Sequence, residues 1–184
     1  AKDLVRRGLA YPCFCSAEEL TRLREKQEAQ KADPGYYGKW AVCRNADPNQ
    51  IFERVTQHTP FVLRFRSDGD INNKIKFTDL VRGTLELTEN DKDHVLLKSD
   101  GIPTYHFAHV IDDTLMGTTH VVRGEEWLPS LPFHLQLFRA LGFRPPKYLH
   151  IAQLMKLDGN AKKKLSKRDK GVDMNFYKEK GYAP

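Results

Sequence analysis

Long apolar runs are missing from this sequence. No stretch approaches the roughly 18 residues that a membrane-crossing helix needs, so the chain is read as one that does not span a bilayer. Cysteine is scarce and odd in number, three in 184 residues. That argues against a secreted disulfide framework and for a reducing compartment, the cytoplasm or an organellar matrix. Residues 1–7 are charged and no apolar core of about 7–15 residues follows them, so the start does not read as a signal peptide. Internal repeats and low-complexity tracts are absent. With 40% hydrophobic and 29% charged residues, the collagen-like, coiled-coil and disordered classes are excluded. What is left is one ordinary globular domain, or two small ones sharing an interface.

The formal charge of +6 is unevenly placed. Lys162, Lys163, Lys164, Lys167, Arg168 and Lys170 crowd residues 159–172 against Asp169 alone. Such a segment suits a polyanion, phosphate or nucleic acid, and on charge alone it suits a solvated surface loop equally well.

Periodicity divides the chain in two. Ser16 with Glu19 is a capping box that opens a helix with Leu20 and Leu23 on one face, stopped by Asp33-Pro34-Gly35. Residues 36–57 read as irregular, with one short helix. Residues 61–66 alternate with period two, and Asp68-Gly69 makes a turn. Ile75, Phe77 and residues 84–87 and 95–97 continue as strands, predicting one mixed sheet segment over 61–98. After Pro103 the pattern changes. It predicts a helix over 105–114, a strand over 119–123, and a helix from Ser130 with Pro132 just inside it and Gly142 as its cap. A buried strand over 149–154 follows, then a short last helix that Asp173 caps and Gly181 ends. Strand, helix, strand predicts a parallel α/β unit with a right-handed crossover.

The segment Lys164-Leu165-Ser166-Lys167-Arg168 follows a strand and a Gly-containing turn. Two lysines three apart on a mobile loop can close over a triphosphate and neutralise charge on departing pyrophosphate, work that suits a compact charge on a flexible stem. Upstream come, in order, Pro103-Thr104-Tyr105-His106-Phe107-Ala108, Val110-Ile111-Asp112-Asp113, Met116-Gly117, Val121-Val122-Arg123-Gly124-Glu125-Glu126-Trp127 and Leu141-Gly142-Phe143. Together with the Lys-Leu-Ser-Lys-Arg segment, this series resembles the glutamyl-tRNA synthetases of the bacterial and organellar type. The resemblance covers nearly the whole chain and is densest over residues 98–184.

The resemblance implies an α/β fold: the second half of a class I synthetase Rossmann-like catalytic domain with an inserted α+β acceptor-binding domain. On that scheme residues 1–104 are most of the inserted domain, which grips the tRNA acceptor end. Residues 105–157 are the second half of the catalytic domain, and 158–184 the signature loop and the start of the stem-contact region. The family's first half, with its His-x-Gly-His-type loop, is expected before Ala1 and an anticodon-binding domain after Pro184, leaving this chain alone inactive. The implied reaction activates L-glutamate with ATP and Mg2+ and transfers it to the 3' end of tRNA(Glu), in a monomeric enzyme. Alternatives are a truncated relative that glutamylates a modified tRNA base, and a non-catalytic RNA-binding module.

By position, the resemblance implies that Tyr105, His109 and Arg123 hold glutamate, with His109 where relatives often carry Asn. Glu126, Trp127, Leu154 and Lys167 are implied to meet ATP, and Lys164, Lys167 and Arg168 to be catalytic. A guanidinium can take a carboxylate through two parallel hydrogen bonds, which suits Arg123. Beside these roles Tyr105, Trp127 and Leu154 also read as core, and Asp112 and Asp113 as structural acids. Cys13-x-Cys15 with Cys43 downstream matches part of a zinc site that some relatives carry. Asn45 stands where the later His would be, and the fourth ligand would have to be Tyr36, Tyr37 or water. Structural zinc normally takes four N or S donors. Three idle thiols are therefore the favoured reading, and zinc at Cys13, Cys15 and Cys43 the alternative.

Overall fold

The computed structural model of the chain describes residues 1–159, 161–165 and 174–182. A short helix α1 (Lys2–Arg6) leads into strand β1 (Ala10–Cys13). Helix α2 (Ala17–Ala29) starts at the reciprocal capping box its sequence predicts: Glu19 N donates to Ser16 Oγ at 3.2 Å, and Ser16 N donates to Glu19 Oε2 at 2.8 Å. The segment predicted irregular contains a 3₁₀ turn (Gly38–Trp40) and helix α3 (Pro48–Thr56), whose first amides donate to the Asp47 carboxylate. Strands β2 (Val62–Phe65), β3 (Lys74–Asp79), β4 (Gly83–Thr88) and β5 (Val95–Leu97) follow, then α4 (Tyr105–Leu115) and β6 (His120–Gly124). A 3₁₀ turn (Glu125–Ser130) opens onto α5 (Leu131–Leu141). Strands β7 (Lys147–Ile151), β8 (Met155–Asp158) and β9 (Ala161–Lys164) and helix α6 (Met174–Glu179) complete the described chain. Asp173, predicted to cap α6, lies outside the described residues.

The single mixed sheet predicted over 61–98 does not form. Strand β2 lies between β1 and β5 in a three-stranded antiparallel sheet, while β3 and β4 make a separate antiparallel hairpin. Central β2 is where Leu63, Arg64 and Phe65 are all buried. The parallel unit does form: β6 pairs β7 from His120↔Lys147 to Gly124↔Ile151, with α5 in the crossover. Helix α5 ends as predicted at Gly142, whose φ of 71° is a left-handed cap that glycine adopts without a Cβ penalty. The buried strand predicted over 149–154 instead ends at Ile151, and Leu154 is 73% exposed. Beyond it, β8 and β9 pair as a hairpin, so Lys162, Lys163 and Lys164 begin the basic segment as a strand rather than a loop.

One apolar core crosses the boundary expected at residue 104. Leu4, Leu63, Phe65 and Leu96 from the antiparallel part pack with Phe107, Val110, Phe133, Leu137 and Phe138 from α4 and α5. At about 1.5–3 kcal/mol per fully buried side chain, this cluster is the main cohesive element between the two parts. The β3–β4 hairpin adds a second joint: Leu80 N donates to Tyr148 O at 2.9 Å, and the Phe77 and Tyr148 rings meet edge-on at 5.7 Å. That joint places the tip of the hairpin beside the carboxyl ends of β6 and β7.

Candidate functional site

In an open parallel sheet, ligands bind in the crevice outside the carboxyl ends of the strands. Arg123 stands there, and its register partner on β7 is His150, so the two side chains lie side by side. Both are buried. Arg123 Nε donates to His150 Nε2 at 2.9 Å. The other ring nitrogen, Nδ1, lies 2.7 Å from Asp79 Oδ2. Asp79, also buried, accepts from the amides of Val81 and Arg82 at 3.0 Å each and of His150 at 3.1 Å. Burial pushes its carboxyl up, but the bonds from His150, Val81 and Arg82 outweigh burial and hold it below the usual carboxylate range. A carboxylate can only accept and a guanidinium can only donate. The proton of His150 is therefore on Nδ1, and Nε2 offers its lone pair to Arg123.

A second imidazole holds the guanidinium from the other side. Arg123 Nη1 lies 3.3 Å from His134 Nδ1, and His134 Nε2 lies 2.8 Å from His106 Nδ1. Because Arg123 must donate, His134 is protonated on Nε2 and donates to His106. Burial and the neighbouring His109 and Arg123 push His134 down to about 2, so it is neutral at pH 7. Arg123 Nη2 is buried with no hydrogen-bond partner among the described residues. The guanidinium faces the Tyr148 ring at 4.8 Å and the Trp127 ring at 5.9 Å.

Of the residues the sequence singles out, Tyr105, His109, Arg123 and Trp127 come together here. Tyr105, half exposed at the start of α4, stacks on His109 (5.8 Å, 8° between planes) and lies 4.5 Å from Trp127. His109 Nε2 lies 2.8 Å from Tyr148 Oη, so a substrate contact from that nitrogen requires this bond to open. His109 Nδ1 lies 2.6 Å from Asp113 Oδ2, a buried oxygen with no hydrogen-bond partner among the described residues.

Glu126 and Lys164 meet at the rim. Lys164 Nζ donates to Glu126 Oε1 at 2.8 Å, and that bond, with one from Gln153, holds the Glu126 carboxyl down to about 2. A Cβ on Gly124 would lie 1.9 Å from Glu126 Oε2, so glycine is what lets this carboxylate fold back. Leu154 is exposed before β8 and its carbonyl accepts from Leu165 N at 2.8 Å. Lys167 and Arg168 lie outside the described residues. The sequence reading missed Asp79, His106, His134, Tyr148 and His150. The one available signal was a histidine set between Leu149 and Ile151 in a segment read as a buried strand.

A separate cluster joins the three cysteines. Their Sγ atoms lie within 4.8 Å of one another, Cys15 and Cys43 at 3.6 Å. The Tyr36 hydroxyl is 3.4 Å from both Cys13 Sγ and Cys15 Sγ and accepts from Cys43 N at 2.9 Å. Asn45 is turned to Arg66 instead, at 3.1 Å.

The family model described as "tRNA synthetases class I (E and Q), catalytic domain" matches residues 1–184. The glutamate–tRNA ligase of Clostridium perfringens is 52% identical over 182 residues, 98% of this chain and 33% of the relative. That of Sorangium cellulosum is 48% identical over 196 residues, 98% of this chain and 34% of the relative. Among solved structures, a glutamate tRNA ligase from Elizabethkingia meningosepticum in complex with its amino acid superposes with a TM-score of 0.78 at 35% identity, over 91% of this chain and 34% of that one. The chain spans about a third of the length of the relatives it matches. With the match running from the first residue to the last and the parallel unit in place, the chain belongs to the catalytic-domain family of class I tRNA synthetases for glutamate and glutamine.

Proposed function

We propose that the chain is the central part of a glutamate–tRNA ligase and that Arg123 receives a carboxylate of L-glutamate. The observation that carries this reading is the buried Arg123 Nη2, a donor without a partner among the described residues in a guanidinium otherwise held by two neutral imidazoles. Leaving such a group unpaired is costly, and an incoming carboxylate removes the cost. Tyr105 and Trp127 wall the same space. Activation of glutamate by ATP needs no protein nucleophile, so positioning and cations over developing phosphate charge supply the catalysis. Lys167, supported by Lys164 and Arg168, takes the cationic role, and Glu126, Trp127 and Leu154 border the nucleotide. Mg2+ enters with ATP; Asp79, the carboxylate nearest Arg123 in the hydrogen-bond chain, is already committed to His150 and the turn amides. Residues 1–104 take the acceptor end of tRNA(Glu), 105–157 complete the catalytic domain and 158–184 begin the stem-contact region. ATP–pyrophosphate exchange tests the assignment on the full-length ligase. Arg123→Ala should abolish the glutamate-dependent signal while ATP binding persists, and an unchanged Michaelis constant for glutamate would overturn it.

The cysteine cluster supports a second reading, a structural zinc held by Cys13, Cys15, Cys43 and Tyr36. Tetrahedral zinc with Zn–S bonds of about 2.3 Å requires sulfurs about 3.8 Å apart, near the spacing of Cys15 and Cys43. Hydrogen bonds with Cys43 and Tyr36 pull the Cys13 thiol well below the ordinary thiol range against the effect of burial, which favours the thiolate that a metal needs. Elemental analysis of the purified protein should find one zinc per chain, lost in Cys13→Ser. Metal-free protein with three freely titrating thiols would remove this reading.

A further inference from the structure

The imidazole beside Arg123 is not free to choose its tautomer. His150 Nδ1 faces a buried carboxylate oxygen and His150 Nε2 faces a guanidinium N–H, so a proton on Nε2 would set two donors against each other at 2.9 Å. The carboxylate that enforces this belongs to Asp79, 71 residues away at the end of β3, and its other bonds close the turn into β4. We propose that Asp79 and His150 are positioning residues for the amino-acid site: Asp79 fixes the His150 tautomer, and His150 fixes the rotation of the Arg123 guanidinium that leaves Nη2 as the donor for substrate. The proposal rests on the reading of Arg123 as the glutamate-binding residue. It gives the β3–β4 hairpin a task in amino-acid selection, although the hairpin lies in the segment expected to serve tRNA. Neither residue touches substrate. Their effect runs through the angle of a planar fork, which a displaced imidazole would turn away.

Asparagine at position 79 separates this role from simple packing. Asp79 Oδ1 serves the backbone amides of Val81 and Arg82, while Oδ2 faces the His150 ring and accepts from the His150 amide, which also lies 3.4 Å from Oδ1. In Asp79→Asn the amide oxygen is drawn to the Oδ1 position, where the Val81 and Arg82 amides can only donate and the His150 amide is also within 3.4 Å. This turns Nδ2 toward His150 Nδ1, a nitrogen that can change tautomer. That nitrogen must then accept, its proton moves to Nε2, and Nε2 opposes Arg123. In the full-length ligase, Asp79→Asn should raise the Michaelis constant for glutamate by about tenfold or more, while that for ATP stays within about twofold. It should add nothing to the glutamate constant in an Arg123→Lys background. Asp79→Ala removes the carboxylate without forcing the wrong tautomer, so its glutamate defect should be the smaller of the two. A purely structural role predicts the reverse order, equal effects on glutamate and ATP, and additivity with Arg123→Lys, and any of these would overturn the proposal. Histidine 15N spectra read the tautomer without any variant. His150 protonated on Nε2 in the wild-type protein would overturn the relay even if Asp79→Asn fails to fold. An unchanged glutamate constant in Arg123→Lys alone, with His150 protonated on Nδ1, would instead remove the glutamate reading.

Discussion

The chain holds two cations near one crevice in opposite ways. Arg123 is buried, and neutral imidazoles satisfy two of its donors, so its charge is fixed in direction and, among the described residues, left uncompensated by direct contact. Lys164 is exposed at the end of β9 and paired with one exposed carboxylate, Glu126. Removing one partner of a buried ionic arrangement costs several kcal/mol, whereas exposed pairs contribute little and are screened by salt. The first arrangement has the geometry of a preorganised receptor for a planar anion, the role proposed for it. In the second, the lysine can exchange its carboxylate for another anion, such as a phosphate, at small cost. On the proposed reading, rigidity is placed where selectivity is needed, and exchangeability where charge must follow a departing group.

Exchanging the cations is the strongest test of this contrast. Arg123→Lys should lower kcat/KM for glutamate by about a hundredfold or more, because an ammonium cannot reach two imidazoles and still present a third oriented donor. Lys164→Arg should stay within about threefold, since a point charge facing one carboxylate tolerates the change. Similar losses in both would dissolve the distinction.

The buried side of the comparison also predicts a pH dependence. Burial and the nearby His106 push His94 down to about 4, and His134 is pushed down to about 2, so both are neutral in the fold while the unfolded chain titrates near 6.5. Between about pH 6.5 and 4 the unfolded state binds more protons, so stability is complete above that window and falls as the pH drops through it. The slope is about 1.4 kcal/mol per pH unit for each histidine. Denaturant unfolding at a series of pH values should show this decline, and His94→Gln should flatten it. Lys164→Gln should leave the slope unchanged.

How much of this was legible in the sequence follows the same divide. The capping box at Ser16, the Gly142 cap and the strand–helix–strand unit are local patterns, and each forms, although the second strand runs over 147–151 rather than 149–154. Strand β1 escaped notice because Pro12 interrupts it, and periodicity alone did not say that β3 and β4 leave the sheet of β2. Strand β9 carries Lys162, Lys163 and Lys164, exposed throughout, so backbone pairing forms it with no apolar face to betray it. Tyr105, Arg123 and Trp127 were found through resemblance. Asp79 and His150 were not, because a charged residue in a turn reads as solvated, and its compensating partner lies 71 positions away.

The smallest expected effect tests whether the rim pair depends on a missing side chain. Gly124 has φ −67° and ψ 151°, which any L-residue adopts, so Gly124→Ala meets no backbone strain. Its new Cβ would fall on the Glu126 carboxylate, the far end of a flexible chain that can swing away. Melting temperature should therefore not change measurably. The loss should appear instead at Lys164, which no longer has its partner at 2.8 Å and should be reductively methylated faster than in the parent. A marked fall in melting temperature would mean that Gly124 serves the backbone of the parallel pair. An unchanged methylation rate at Lys164 would mean that Glu126 keeps its hold by another path, and that the exposed cation is less exchangeable than its surroundings suggest.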